Sequence, residues 1–264
     1  MTHHQQFDAW ISDLERRHLS DLRFPEVSRA LRALSSNYVE RRGKLSEGAA
    51  LTGAGKRAAF ALFYGPLHYL LVREIVLALP MALDRVGTLV DLGCGTGASG
   101  AGWAAACDPP PPVVGIDRHP WALGEAMATY RQFALNARTR QGDVAAAALP
   151  KAPVSLLAAF TLNELPDEPR DALLRRLLER AAAGDQVLIV EPLARGVAPW
   201  WNGWQETVVA AGGRGDEWRF RVDLPAIVTK LDRAAGLNHR ELRGRSLWLN
   251  HNVAAGFSRP STSA

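Results

Sequence analysis

TLVDLGCGTGASG, Thr88 to Gly100, is the stretch on which the reading of this chain turns. Thr88-Leu89-Val90 is a short apolar run and predicts a buried strand. The run ends on an acid, Asp91. Gly93, Gly95, Gly97 and Gly100 follow, then an alanine-rich segment to Ala106 with helical composition. Strand, glycine turn, helix is how an α/β sheet builds a small-molecule site. Glycines let the backbone approach a ligand, and the helix start offers unpaired N–H groups to an anion. A plain turn has no need of four glycines.

Outward from this stretch, short apolar runs alternate with helical patterns, the signature of a parallel doubly wound sheet. Strands are expected at 87–91, 113–117, 138–141, 154–160 and 186–191, with the last strands somewhere in 239–257. Helices are expected from Pro120 to about Leu135, from about Glu168 to Ala183 and from about Leu224 to Ala235. Leu173, Leu174, Leu177 and Leu178 form the buried stripe of the second of these. Toward the N-terminus no strand signal appears. Phe7, Trp10, Ile11 and Leu14 share one helical face. A second helix starts at Phe24-Pro25 and runs to about Arg42, with Val27, Ala30, Leu31 and Leu34 along its face, and 45–55 reads as loop. A third spans Lys56 to Leu79, where Pro66 should kink or break it. The expected organisation is a helical cap over 1–80, an α/β domain over 81–258 and a tail over 259–264.

Two ligand classes fit the glycine stretch. Gly95-x-Gly97-x-x-Gly100 satisfies the dinucleotide fingerprint, a weak signal by itself. The longer string Asp91-x-Gly93-x-Gly95-x-Gly97 sets an acid two residues before the first glycine. A dinucleotide does not require that acid; a ligand with an α-ammonium group does. On these residues the chain resembles motif I of the class I S-adenosylmethionine-dependent methyltransferases. The resemblance implies a Rossmann-like, mostly parallel seven-stranded sheet and S-adenosylmethionine as cofactor. Ligands bind beyond the carboxyl ends of such strands, and the acids lie there. Asp117 ends the second strand, where a carboxylate can hold both ribose hydroxyls, or instead cap the helix at Pro120. Arg118 and His119 are placed to flank an adenine. Asp143-Val144 resembles the methyltransferase position that meets the adenine amino group and ring, or is a turn. The resemblance implies that Gly93, Gly95 and Gly97 shape the methionine pocket with Cys94, that Asp91 supports the loop and the ammonium group directly or through water, and that Thr161 borders the pocket.

After the fourth strand comes Phe160-Thr161-Leu162-Asn163-Glu164-Leu165-Pro166. The Asn/Asp-Pro-Pro-aromatic motif of many amino-methylating enzymes is missing. Asn163 and Glu164 could orient a nucleophile or accept its proton, or cap the next helix. Tyr38-x-x-Arg41-Arg42-Gly43, Ala58 to Tyr69 around Pro66, the glycine loop, Thr161 to Leu165 and Val190-Glu191-Pro192 occur in an order that resembles the Rsm22-like family. Those methyltransferase-like proteins are linked to the small ribosomal subunit. The cysteine cluster that many of them use for an iron–sulfur centre is absent here. The resemblance implies ribosomal RNA, or the small subunit, as partner. His68, between Tyr64 and Tyr69, is a candidate acid–base group or a structural histidine. Tyr64 and Tyr69 are expected to face the acceptor. Trp200 and Trp204 share a helical face and read as core or as an aromatic wall over the acceptor. Arg214 and Trp218 could stack on a base and meet phosphate.

Composition sets bounds. Hydrophobic residues make up 47% and charged residues 22% of the 264, ordinary for a globular protein. Two cysteines, Cys94 and Cys107, exclude a disulfide framework and a four-cysteine metal site. No metal is expected. No secretory signal and no membrane-length apolar run are read, so the expected location is cytoplasmic. The net charge of +4 permits nucleic-acid contact. With only four lysines, that charge is nearly all arginine, which reads equally as coding bias. Three roles follow: methyl transfer to ribosomal RNA, methyl transfer to a small molecule, and non-catalytic cofactor binding in ribosome assembly.

Overall fold

The sheet forms because its central strands are apolar on both faces. The computed structural model describes residues 2–40, 51–193 and 198–250. Seven strands run β1(Leu89–Leu92), β2(Val113–Asp117), β3(Ala137–Gln141), β4(Ser155–Ala159), β5(Gln186–Pro192), β6(Arg214–Phe220) and β7(Leu242–Leu249). Their spatial order is β3-β2-β1-β4-β5-β7-β6. The first five are parallel; β7 is antiparallel to β5 and β6 to β7. β1 and β4 are buried throughout, as strands covered on both faces must be. The Rossmann-like expectation holds.

Helices cover both faces. On one lie α1(His3–His18), α2(Phe24–Glu40), α3(Ala54–Ala59), α4(Gly65–Ala78), α5(Ala98–Ala104), α6(Pro120–Gln132) and α9(Ala226–Ala235). On the other lie α7(Asp167–Ala182) and α8(Trp201–Ala210). A capping box between Thr2 and Gln5 starts α1. Phe7, Trp10, Ile11 and Leu14 are buried as their spacing predicts, each stabilising the fold by about 1.5–3 kcal/mol. Trp10 donates to Thr129 of α6 at 3.3 Å, and Arg17 grips both oxygens of Glu125. The N-terminal helices are therefore built into the sheet's own core.

Pro66 does not break its helix. α3 and α4 are joined by a π turn, Phe60–Tyr64, in which the Gly65 N–H reaches back to the Phe60 carbonyl. Proline sits in the first turn after it, where a missing N–H costs least. The run Ala54–Ala78 is long and apolar enough to cross a membrane, contrary to the sequence reading. Its packing accounts for the composition: Leu62, Phe63, Val72 and Ile75 are fully buried.

One strand lies outside its expected place. β7 falls within 239–257, but its partner β6 precedes α9. Arg-Gly-Asp-Glu-Trp-Arg-Phe has no apolar run because β6 is an edge strand, paired only with β7. The expected helix end at Arg42, the 45–50 loop, Arg41 to Gly43 and the 259–264 tail lie outside the described residues.

Candidate active site

A cavity of about 320 Å³ opens beyond the carboxyl ends of β1, β2, β4 and β5. Its floor is the glycine loop. The N–H groups of Gly93 and Cys94 both donate to the Ile116 carbonyl, at 2.8 and 3.0 Å, which ties the loop to β2. Gly93 has φ +72°, and a Cβ there would lie 2.3 Å from the Thr161 side chain. Glycine is required by both. The Thr161 hydroxyl lies 3.1–3.3 Å from the carbonyls of Leu92, Gly93 and Ala159, sealing β1 against β4. Asp117 accepts from Gly95 N–H at 2.9 Å and from His119 N–H at 2.8 Å. Each oxygen keeps a lone pair free for a further donor. Asp143 and Val144 line the same cavity past β3; Asp143 is exposed and also accepts from the Ala145 N–H.

The turn after β4 closes the other side. Phe160 adopts φ +58°, a conformation that strains a bulky side chain and is typically kept where function needs it. It stacks on His68 of α4, ring centres 3.7 Å apart and 12° from parallel. Phe60 and Tyr64 extend this aromatic wall. Burial lowers the His68 pKa to about 3, so the ring is neutral in the physiological range. Glu164 lines the cavity, and burial pushes its carboxyl up to about 7. Asn163 donates through Nδ2 to the buried Glu191, which also accepts from Leu162 N–H at 3.0 Å. Burial raises Glu191 to about 8, with the Leu162 N–H and Arg245 opposing.

The structure thus brings together Gly93, Cys94, Gly95, Asp117, Arg118, Asp143, Val144, Thr161, Asn163, Glu164, His68 and Tyr64. Other expected residues stand elsewhere. Asp91 is buried behind the loop, accepting from Gly100 N–H at 3.0 Å and facing the Tyr130 hydroxyl; it shapes the loop and does not reach the cavity. Gly97 ends the loop in the left-handed region, packed so tightly that a Cβ would meet Ala126 at 2.9 Å. Tyr69 points away from His68 into the α1 core, stacked on Phe7 and Phe133 and bonded to His3. One residue along a helix turns a side chain by about 100°, so neighbours cannot share a wall. Trp200 and Trp204 pack under α7, Trp204 donating to Asp171 at 3.2 Å. Trp218 donates to Ser246 at 2.8 Å, and Arg214 pairs with Asp216. None of these four lines the cavity.

His119, expected beside the adenine with Arg118, lines the cavity too, and Phe60, Phe160 and Glu191 join the lining without having been singled out as site residues. Phe60 and Phe160 read as ordinary core aromatics in sequence. Glu191 does carry a signal, an acid ending an otherwise apolar strand, as Asp91 and Asp117 do.

Residues 89–184 match the family model described as a methyltransferase domain. No curated protein sequence matches the chain. Among solved structures, mitomycin 7-O-methyltransferase is 14% identical, with a TM-score of 0.53, over 84% of this chain and 67% of that one. The N-methyltransferase NodS of Bradyrhizobium japonicum, solved with S-adenosylhomocysteine, is 14% identical, with a TM-score of 0.46, over 67% of this chain and 84% of that one. A SAM-dependent methyltransferase of Aquifex aeolicus is 17% identical, with a TM-score of 0.46, over 67% and 88%. The central segment is a methyltransferase domain, of the class that takes its methyl group from S-adenosylmethionine. The residues fit that cofactor. Positive-φ Gly93 and Gly95 give a bare backbone cradle, and Asp117 and Asp143, lining the cavity at the strand ends, would hold ribose and adenine.

Proposed function

We propose that this methyltransferase acts on a small planar acceptor held against the Phe160–His68 wall. Bound S-adenosylmethionine supplies an electrophilic methyl on a sulfonium, with a neutral thioether as leaving group. The protein's part is then to align the nucleophile and exclude water. Phe60, Tyr64, His68 and Phe160 offer flat apolar surface, while Asn163 and Glu164 supply the polar edge that orients a nitrogen or oxygen nucleophile. The observation that carries the reading is the lining itself. Among the described residues one wall is aromatic, and Arg118 is the only arginine or lysine in the lining, paired with Glu164. The mitomycin enzyme named above acts, by its name, on a small molecule, which agrees.

Ribosomal RNA is the second reading. It is supported by the Rsm22-like order of motifs and the net charge of +4. On that reading a base would leave its stack to enter the cavity, and the protein would work in the cytoplasm beside the small ribosomal subunit. Non-catalytic binding in ribosome assembly is the third. The test uses S-adenosylmethionine labelled on its methyl group, offered with either the low-mass fraction of a cell extract or purified small ribosomal subunits. Label in a low-mass product supports the proposal. Nuclease-sensitive label in the subunits overturns it in favour of RNA. Label in neither, with binding intact, supports the non-catalytic role.

A further inference from the structure

Arg118 and Glu164 face each other across the glycine loop. Arg118 follows β2, Glu164 ends the turn after β4, and β2 and β4 are the strands that flank β1. Their charged ends lie 3.7 Å apart, too far for a hydrogen bond, and the side chains are 48% and 34% exposed. Such a pair contributes little and is easily exchanged. Glu164 faces the cavity with the Asp117 carboxyl at the end of β2, while Glu191, behind the turn on β5, is held largely protonated at neutral pH by burial. From the helical wall come Tyr64 and His68, neither of which carries positive charge at neutral pH. Arg245, the residue opposite Glu191 on β7, lays its guanidinium 4.3 Å over the Trp201 ring, away from the cavity. The side of the cavity beyond β4 therefore carries carboxyl groups and, among the described residues, no arginine or lysine, with Arg118 reaching in from the β2 side.

A donor whose adenosine is held at Asp117 and Asp143 directs its other end toward β1 and β4. We propose that Glu164 is a charge-selecting residue: it exchanges the Arg118 guanidinium for the positive sulfonium of the donor, so that S-adenosylmethionine is held in preference to the neutral thioether product. The inference rests on the cofactor assignment and goes beyond it, because the assignment alone predicts no discrimination between donor and product. It gives product release a cause. Once the methyl has left, the positive charge that held the donor is gone, and Glu164 returns to Arg118.

The exchange is linked to protons. With the carboxyl pushed up to about 7 by burial, Arg118 opposing and Asp117 adding, Glu164 carries a proton below that pH. A cation binds the ionised form, so discrimination grows as pH rises through 7.

Calorimetric titration of the full chain with S-adenosylmethionine and with S-adenosylhomocysteine, at pH 6 and pH 8, tests this without an acceptor. In wild type the ratio of the two affinities should rise about five- to tenfold over that range. In Glu164→Gln it should stay level, with homocysteine-ligand affinity within about threefold of wild type. The donor's own α-ammonium titrates alike in both proteins, so their difference isolates Glu164. Arg118→Gln should raise the ratio at pH 8, where Glu164 can ionise, and hardly at pH 6, because loss of the guanidinium lets the carboxyl rise further; contacts to the shared adenosine cancel. A wild-type ratio that ignores pH, or a rise that survives in Glu164→Gln, overturns the inference while leaving the cofactor assignment standing. Failure of wild type to bind either ligand refutes the assignment itself.

Discussion

Replacing Gly93 by alanine probes the seam between β1 and the turn after β4. At φ +72° the new Cβ would lie 2.3 Å from both Cγ2 and Oγ1 of Thr161 and 2.9 Å from its Cβ, where ordinary contact begins near 3.4 Å. Rotating Thr161 does not relieve this, because its Cβ is itself too close and its hydroxyl is engaged by carbonyls on both strands. The left-handed backbone costs alanine roughly 1–2 kcal/mol. Overpacking adds about 1–3 kcal/mol. Gly93→Ala should therefore destabilise the fold by about 2–5 kcal/mol and abolish S-adenosylhomocysteine binding. Thr161→Gly removes the obstacle. In that background the same change should cost only the backbone part, about 1–2 kcal/mol, leaving a coupling of about 1–3 kcal/mol. Urea titration of the four proteins in this cycle reads all three quantities. A cost for Gly93→Ala below about 0.5 kcal/mol, or the same cost in both backgrounds, would refute the seam.

Other expectations are narrower. Glu191 has its pKa raised to about 8, above the unfolded value of 4.5, so the folded chain holds a proton there that the unfolded chain releases; this contribution to stability falls as pH rises from about 4.5 to 8. Glu191→Gln should flatten that decline, gaining at least about 1 kcal/mol on wild type between pH 5 and pH 9 in urea titrations, and equal slopes would contradict it. His68 has its pKa lowered to about 3, so once an acceptor is known, no limb of the activity profile between pH 5 and 8 should disappear in His68→Asn, although the rate falls. Trp204→Phe loses the bond to Asp171 and should cost about 1 kcal/mol of stability with S-adenosylhomocysteine affinity unchanged. A weakened affinity there would return Trp204 to the ligand wall.

The cofactor half of the site was legible because its chemistry sits on consecutive residues at strand ends. Asp117 and Asp143 follow the ends of β2 and β3, and the glycines mark the loop that β1 feeds. The acceptor half was not. Its wall comes from a π turn, a helix and a strained residue after β4, separated by up to 100 residues, and no spacing rule joins Phe60 to Phe160. Trp200 and Trp204 do share a face, as their spacing says, and of the two readings offered for it, core or acceptor wall, the structure takes the core. Asp91 was read as supporting both the loop and the ammonium group; it holds the loop through the Gly100 N–H, and motif spacing says nothing of which face of a strand an acid takes. β6 was missed because edge strands need not be apolar.

The π turn carries an angular consequence. An α-helix advances about 100° per residue, so Phe60, Tyr64 and His68, each four apart, would precess by about 40° per step and end about 80° out of phase. A π turn of about 4.4 residues winds back by roughly 33° over its four steps. The forward drift of α4 then nearly cancels it, and Phe60 and His68 return to one azimuth. Their rings meet edge to face at 6.2 Å, with Tyr64 about 6 Å from each. The extra residue works as a phase corrector. Deleting one residue from 60–64 would restore ordinary winding at little cost to helicity and swing the α3 end of the wall out of the cavity. The length of this helix, as much as its composition, is what keeps three rings facing one cavity.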